Sequence, residues 1–409
     1  MATSKPNGIR SGELPLSKLI ILGIQHTFTM FGATVLVPIL TGLNISVALF
    51  TAGIGTWFFH LVTKWKVPVF LGSSFAYIAP IIMVRDKLGM EYALGGIVIA
   101  GLTYLVLSAL VYFVGADAIR KVFPPIVTGP IIMVIGLNLA PVAIDMAKGN
   151  WLLAGICLLT VMIVSVFGKG FFKVLPVLTG LVVGYICAII FKVTGIAPDI
   201  INFDAIANAG WFGLPQFTIA KFSWEAIMII APVGIVTMVE HIGDVLAVGA
   251  TTGDNFVDDP GLHRTLIGDG VATAFAALIG GPANTTYSEN TGVLALTKVF
   301  DPWVMRIAAI FAVLLSLIPK LGAVISTIPV AVVGGISIIL FGMISSIGVR
   351  TVVENKVDFS LARNLIISAV ILVLGIGGKV FDLGIMQFSG MAMGAIVGIV
   401  LNAILPEDK

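Results

Sequence analysis

Charge is what this chain has least of. Lys, Arg, Asp and Glu make up 11% of its 409 residues, against roughly 25% in an ordinary soluble domain. Too few charges remain to cover a water-facing surface, which excludes a soluble globular protein. Basic residues outnumber acidic ones by only two, so there is no basic excess to bind nucleic acid. Cysteine is nearly missing: Cys157 and Cys187 both fall in apolar runs and read as packing residues, not as a disulfide or metal pair. The four histidines, His26, His60, His241 and His263, lack metal-ligand spacing, and no HExxH run occurs. A membrane-embedded metalloenzyme is therefore not expected, nor is any organic or metal cofactor.

What the chain has is apolar length. Hydrophobic residues reach 58% and mean hydropathy is +1.10. Apolar runs recur from Leu16 to Leu405, each near the ~20 residues a helix needs to span a bilayer. Barrel strands would alternate over ~10 residues instead. The first 15 residues are polar and lack a cleavable signal pattern, so the run from Leu16 is expected to be a retained first span. The fold expected is an all-α integral membrane protein of about fourteen transmembrane segments. With both termini placed in the cytoplasm, 16 of the 23 Lys and Arg fall on that side and 7 on the other. The positive-inside rule then gives a multi-pass protein of the cell (inner or plasma) membrane with N- and C-termini cytoplasmic. One loop fits less well, because Asp254, Asp258, Asp259 and Asp269 oppose only Arg264.

Fourteen segments divide into seven plus seven, and an odd number per half turns the second half upside down, the inverted repeat of many secondary transporters. Segments 3 and 10, at 69–84 and 284–298, are short and interrupted. One carries Gly72-Ser73-Ser74-Phe75 and Pro80, the other Gly280-Gly281-Pro282 followed by Asn284 to Gly292. Paired broken helices of this kind point to a binding site at the bilayer midplane, since irregular backbone is tolerated there only inside protein or along a cavity.

Three carboxylates stand in this apolar setting: Glu240, Asp244 and Glu289. An ionisable group at membrane depth is a functional-site hypothesis by default. Glu240 and Asp244 are four residues apart and share a helix face. Two carboxylates so close in a low dielectric cannot both ionise cheaply, so at least one is expected to hold a proton and to couple transport to a proton gradient. His241 lies about 100° around the helix from Glu240 and reads equally as a satisfied buried histidine or as a relay. Glu289 heads the stretch Asn290 to Val299, whose helical start would aim free backbone N–H groups at the cavity. With Phe75 as a ring to stack on, the inventory suits a flat heterocycle alternating N–H and C=O groups.

Glu289-Asn290-Thr291-Gly292 followed by Thr297-Lys298 resembles the signature of the nucleobase-ascorbate transporter family, also called nucleobase-cation symporter-2. The run Gln25 to Pro38 is similar to that family's opening helix with its Gln-His pair. Leu71 to Pro80, Glu240 to Gly243, Asp259 to Thr265 and Asn284 to Tyr287 resemble bacterial uracil permeases in particular. The resemblance implies a core domain, residues 1–117 and 216–320 (segments 1–4 and 8–11), and a gate domain, residues 118–215 and 321–409 (segments 5–7 and 12–14), usually in a homodimer. It implies import of a nucleobase with a proton by alternating access. Carried over by position, Glu240 and Glu289 bind the base, Phe75 stacks or presents its amide, Ser288 offers another amide, and Ala33 and Tyr287 line the pocket. Asp244, Glu240 and His241 are the proton-coupling candidates. A Glu at the head of the signature resembles the uracil members.

The chain departs from the uracil permease pattern at three positions. Asp244 stands where that pattern has His, Phe341 where it has Tyr, and Ser288 where it has Gly. A His-Tyr contact across the core-gate boundary is thereby excluded. A symporter for xanthine or another purine is the rival within the family. An anion transporter or channel of similar architecture is the rival outside it, although no basic residue lies in 72–80 or 280–292.

Overall fold

The computed structural model describes residues 8–115, 121–377, 380–382 and 387–406. Lys5, Arg120, Lys379 and Lys409, counted above, and the expected domain boundary at 117 lie outside the described residues. The chain is mostly helix, and helix ends follow local chemistry. Asn44 and Asn150 accept the N–H of Val47 and Leu153 to cap α2 (Ile45–Val62) and α6 (Trp151–Phe167). Gly42 and Gly253 end α1 (Leu16–Thr41) and α9 (Val233–Thr252) in the left-handed region, where lacking a Cβ removes the strain.

Each of the fourteen expected segments overlaps a helix or a strand-helix pair. The first half runs α1, α2, β1 (Leu71–Ser73) with α3 (Ile78–Leu88), α4 (Met90–Val114), α5 (Pro125–Ala147), α6 and α7 (Pro176–Val193). The second runs α8 (Trp224–Ile230) with α9, α10 (Leu262–Leu278), β2 (Asn284–Thr286) with α11 (Ser288–Thr297), α12 (Trp303–Ser316), α13 (Pro319–Ser326), α14 (Val330–Glu354), α15 (Ala362–Gly377) and α16 (Gly390–Ile404). Among the described residues, seven spans are long and apolar enough to cross a membrane, or eight if the bent pair α12–α13 counts as one. That pair turns through 83° at Leu317–Ile318, just ahead of Pro319. The eighth expected segment is likewise two helices, parted at Ala231–Pro232, where proline supplies no N–H to continue the ladder.

The packing carries the repeat. α2 packs on α12 and α10 on α4, while α1 packs on α12 and α8 on α4. α14 packs on α6 and α5 on α15; α6 lies against α7 and α15 against α16. Exchanging the halves turns each contact into its partner, while α5–α14 and β1–β2 map onto themselves. Two bodies result. One holds α1 to α4 and α8 to α12; the other holds α5 to α7 and α14 to α16.

Small residues let these helices approach. A Cβ on Gly101 of α4 would fall 2.6 Å from the Gly270 carbonyl oxygen of α10, and one on Gly270 would fall 2.7 Å from that of Gly101. Gly129 of α5 and Gly348 of α14 repeat the arrangement in the other body, at 2.9 and 2.5 Å. Close backbone approach is how helices gain packing where lipid is as apolar as the side chains. The acidic loop is also accounted for. Arg10 pairs with Asp254 at 2.7 Å and Lys66 with Asp259, while Arg264 donates to the Val62 carbonyl. At the other end of the same body Lys87 pairs with Glu225 and Lys221 with Glu91.

Candidate functional site

The site is built on two crossing strands. Leu71 pairs with Thr286, Gly72 with Thr285 and Ser73 with Asn284, antiparallel. The ladder is extended by Ser74 N–H to Ala283 O at 2.8 Å and Tyr287 N–H to Phe70 O at 3.0 Å. A two-stranded sheet inside a membrane leaves outer backbone groups that no water can satisfy. Threonines supply partners. The Thr56 hydroxyl accepts from Leu71 N–H at 2.9 Å and donates to Leu71 O at 3.3 Å. Thr273 does the same for Asn284, at 3.2 and 2.8 Å. Thr56 lies on α2 and Thr273 on α10, the matching helices of the two halves. Gly72 is required by close approach, since a Cβ there would sit 2.3 Å from the Tyr287 ring.

Each strand delivers the chain into a short helix whose first turn faces the same point. α11 begins at Ser288, and the turn Phe75–Tyr77 opens the other side. Tyr287 locks the junction: its hydroxyl donates to Ser73 O at 3.1 Å and accepts from Thr34 of α1 at 3.4 Å. The Ser73 hydroxyl donates to Thr34 O at 2.9 Å.

Around this junction a cavity of about 50 Å³ is lined by Phe75, Glu240, Asp244, Thr285, Thr286, Tyr287, Ser288 and Glu289, and closed by Ile132, Ile344 and Ile347. Ile132 comes from α5 and the other two from α14, so the cavity lies between the two bodies. Phe75 also meets Phe341 of α14 edge-on, with ring centroids 6.0 Å apart. Three carboxylates line the space and no Lys, Arg or His does. Ionising all three together in a confined, low-dielectric site is costly. Neutralisation by a bound proton, or by hydrogen-bond donors on a ligand, relieves that cost.

Six of the eight sequence-predicted residues meet here: Phe75, Glu240, Asp244, Tyr287, Ser288 and Glu289. Ala33 does not line the cavity; it is buried in α1, one residue before the Thr34 that holds Tyr287. His241 faces the other way, fully buried toward α10, with Nδ1 3.3 Å from Asp269 Oδ2. Asp269 corrects the reading that grouped it with loop acids. It lies inside α10, 0% exposed. Its place between Gly268 and Gly270 in the run Leu266 to Ala277 was the available signal. Another buried pair binds α1 to α11, where the Asn290 amide lies 3.1 Å from His26 Nδ1 and 3.2 Å from His26 O.

Asp244 is the most tightly held acid. Thr286 donates to its Oδ2 at 2.8 Å and Ser288 to its Oδ1 at 2.6 Å. Glu240 differs: its Oε2 is buried with no hydrogen-bond partner among the described residues. That atom and the Thr285 hydroxyl oxygen are open acceptors at the cavity. Two of the three departures from the uracil permease pattern, Asp244 and Ser288, are thus one hydrogen-bonded unit, and the serine hydroxyl is committed to the aspartate.

Comparison with known proteins follows these lines. A family model described as a permease family matches residues 17–383. The chain is 45% identical over 402 residues to the probable uracil permease of Pasteurella multocida, covering 96% of this chain and 95% of that one. It is 43% identical over 431 residues to the uracil permease of Bacillus subtilis, covering 100% and 97%. Among solved structures, the murine Slc26a9 anion transporter in its inward-facing state overlays with a TM-score of 0.72 at 10% identity, over 95% of this chain and 68% of that one. The transmembrane domain of the cyanobacterial bicarbonate transporter BicA overlays at 0.60 and 15%, over 98% and 100%. Identities this low speak for the fold alone.

Proposed function

The chain belongs to the nucleobase-ascorbate transporter family, and on that premise we propose that it is a proton-coupled symporter importing a nucleobase, uracil first, across the cell membrane, with both termini cytoplasmic. The observation that carries the reading is the cavity at the crossing strands, where three carboxylates and two helix starts face Phe75 with no basic side chain among them. Uracil is flat and presents N–H donors and carbonyl acceptors. Its N–H groups suit Glu240 and Glu289, its carbonyls suit the backbone N–H groups at Phe75 and Ser288, and its ring face suits Phe75. Several relatives that match nearly end to end carry the name uracil permease or probable uracil permease and another that of a putative pyrimidine permease, and Glu289 heads the signature as in the uracil members.

The proton enters through the same acids. In the outward-open state a proton neutralises the cluster and the base binds. The core (residues 1–117 and 216–320) then moves against the gate (118–215 and 321–409), and both are released inward. Asp244 is the proton carrier in this scheme, with Glu240 between proton and base. His241 stands behind them with Asp269. A space of about 50 Å³ is tight for a six-membered ring, so in this scheme the bodies part at Ile132, Ile344 and Ile347 to admit the base. The protein works as a transporter and not as an enzyme, needs no cofactor beyond the coupling proton, and assembles as a homodimer.

A xanthine or other purine substrate is the alternative left to test, since Asp244 and Ser288 change the cavity wall relative to the uracil permease pattern. An anion substrate has no such support, since the lining is acidic. Counterflow in proteoliposomes, with a panel of uracil, thymine, xanthine and hypoxanthine, separates these. Uracil is expected to exchange and to compete best, and absence of competition by uracil ends the pyrimidine assignment.

A further inference from the structure

The segment ahead of α1, residues 8–14, lies across the ends of both helices that carry the cavity acids. Ile9 N–H donates to Lys298 O at 2.8 Å and Phe300 N–H donates to Ile9 O at 2.8 Å, a parallel bridge onto the chain leaving α11. Gly8 lies so close that a Cβ would fall 2.2 Å from the Phe300 ring. Arg10 reaches the other helix. Its Nη1 donates to Asp254 Oδ2 at 2.7 Å and its Nη2 to the Thr252 carbonyl at 2.8 Å, at the C-terminus of α9. Ser11 donates to Asp301 Oδ1 at 2.9 Å, the oxygen that also accepts from Trp303 N–H at 3.0 Å where α12 begins.

We propose that this arm is a strap fixing α9 relative to α11, and that Arg10 is a positioning residue for the cavity acids. α9 carries Glu240 and Asp244; α11 carries Ser288 and Glu289. Beside their direct packing and the Asp244 contacts within the cavity, the arm adds hydrogen bonds that link the ends of these two helices. The physical case is specific to arginine. A helix C-terminus exposes carbonyls without intrahelical partners and favours a cation. A planar guanidinium can serve that carbonyl and a carboxylate together, whereas a lysine ammonium is a point charge without the fork. The hydrogen bonds from Ile9 and Ser11 then transfer the grip on α9 to the chain bounding α11. The arm is continuous with α1, whose Thr34 holds Tyr287, so strap and crossing strands form one frame around the acids.

This inference rests on the proposed binding site but is tested partly without a ligand. Full-length transporter, with Cys157 and Cys187 replaced by serine, carries spin labels at Thr251 and Lys298, beside the two gripped ends. Arg10→Ala is expected to broaden the distance distribution between them. In proteoliposomes it is expected to raise the KM for uracil about tenfold, the scale of one lost charge-assisted contact, with Vmax within about twofold of wild type. Arg10→Lys falls between the two. The exchange Arg10→Asp with Asp254→Arg recovers part of the KM, which general destabilisation would not. An unchanged distance distribution and KM in Arg10→Ala, or a loss that neither Arg10→Lys nor the exchange restores, overturns the strap. If wild type fails to take up uracil while the distance broadens as expected, the substrate assignment fails and the strap stands.

Discussion

Each carboxylate of the cavity has different neighbours, so each substitution has its own expected signature. Glu289→Gln keeps shape and removes charge at the head of α11. Hydrogen bonds to charged groups are worth about 1.5–3 kcal/mol, so uracil affinity should fall about tenfold or more, read by equilibrium binding to detergent-purified protein. Asp244→Asn should leave the base bound and flatten the dependence of uptake on external pH; an unaltered profile removes the aspartate from the proton path. Because Ser288 and Thr286 both donate to Asp244, Ser288→Ala and Asp244→Asn should not add. A double-mutant cycle on the unfolding stability of the solubilised protein should return a coupling of about 0.5–3 kcal/mol, and additivity would mean that the two departures act independently.

At the scale of elements, the crossing strands depend on a few backbone-satisfying side chains. Thr56→Val removes the hydroxyl that serves the outer N–H and C=O of Leu71, at about 1–3 kcal/mol for each buried group left unmade. Thr273→Val should do the same to Asn284. Both should lower the melting temperature of the solubilised protein, and Gly72→Ala should be worse, since its Cβ meets the Tyr287 ring. Monodisperse Gly72→Ala protein with a wild-type melting temperature would contradict the role given to this glycine. The strand-helix pairs were legible as Gly/Pro-broken stretches, because small residues and prolines mark where a helix cannot continue. The pairing of one half's strand with the other's was not, since three-residue strands leave no periodicity to read. The bend between α12 and α13 was missed for a related reason: a proline marks a break but not its angle.

For the whole molecule, the cavity lies where the two bodies meet, so its size is set by their relative position. Ile344→Cys, at the boundary on α14, should change its rate of labelling by a small thiol reagent when uracil saturates the transporter, in a background lacking Cys157 and Cys187. A rate indifferent to uracil and to the proton gradient would speak against movement of one body past the other. The glycine contacts α4–α10 and α5–α14 lie within bodies, which suits bodies that move as units. Larger residues there, such as Gly348→Leu, should prevent folding instead of tuning transport.

Composition and spacing by themselves determined that this is a helical membrane protein and that Glu240, Asp244 and Glu289 are the charges to explain, and they suggested halves that repeat with inversion. Those conclusions follow because charge burial, span length and helix period are local properties, each legible within about twenty residues. Only the tertiary structure decided which neighbours those charges have. It turned His241 away to Asp269, moved Asp269 from a loop into the core, joined Asp244 to Ser288 and Thr286, left Glu240 Oε2 as an open acceptor, and laid Arg10 across the ends of two helices. Partners tens to more than two hundred residues apart meet through packing, and no local pattern in the chain records which of many polar side chains will share one cavity.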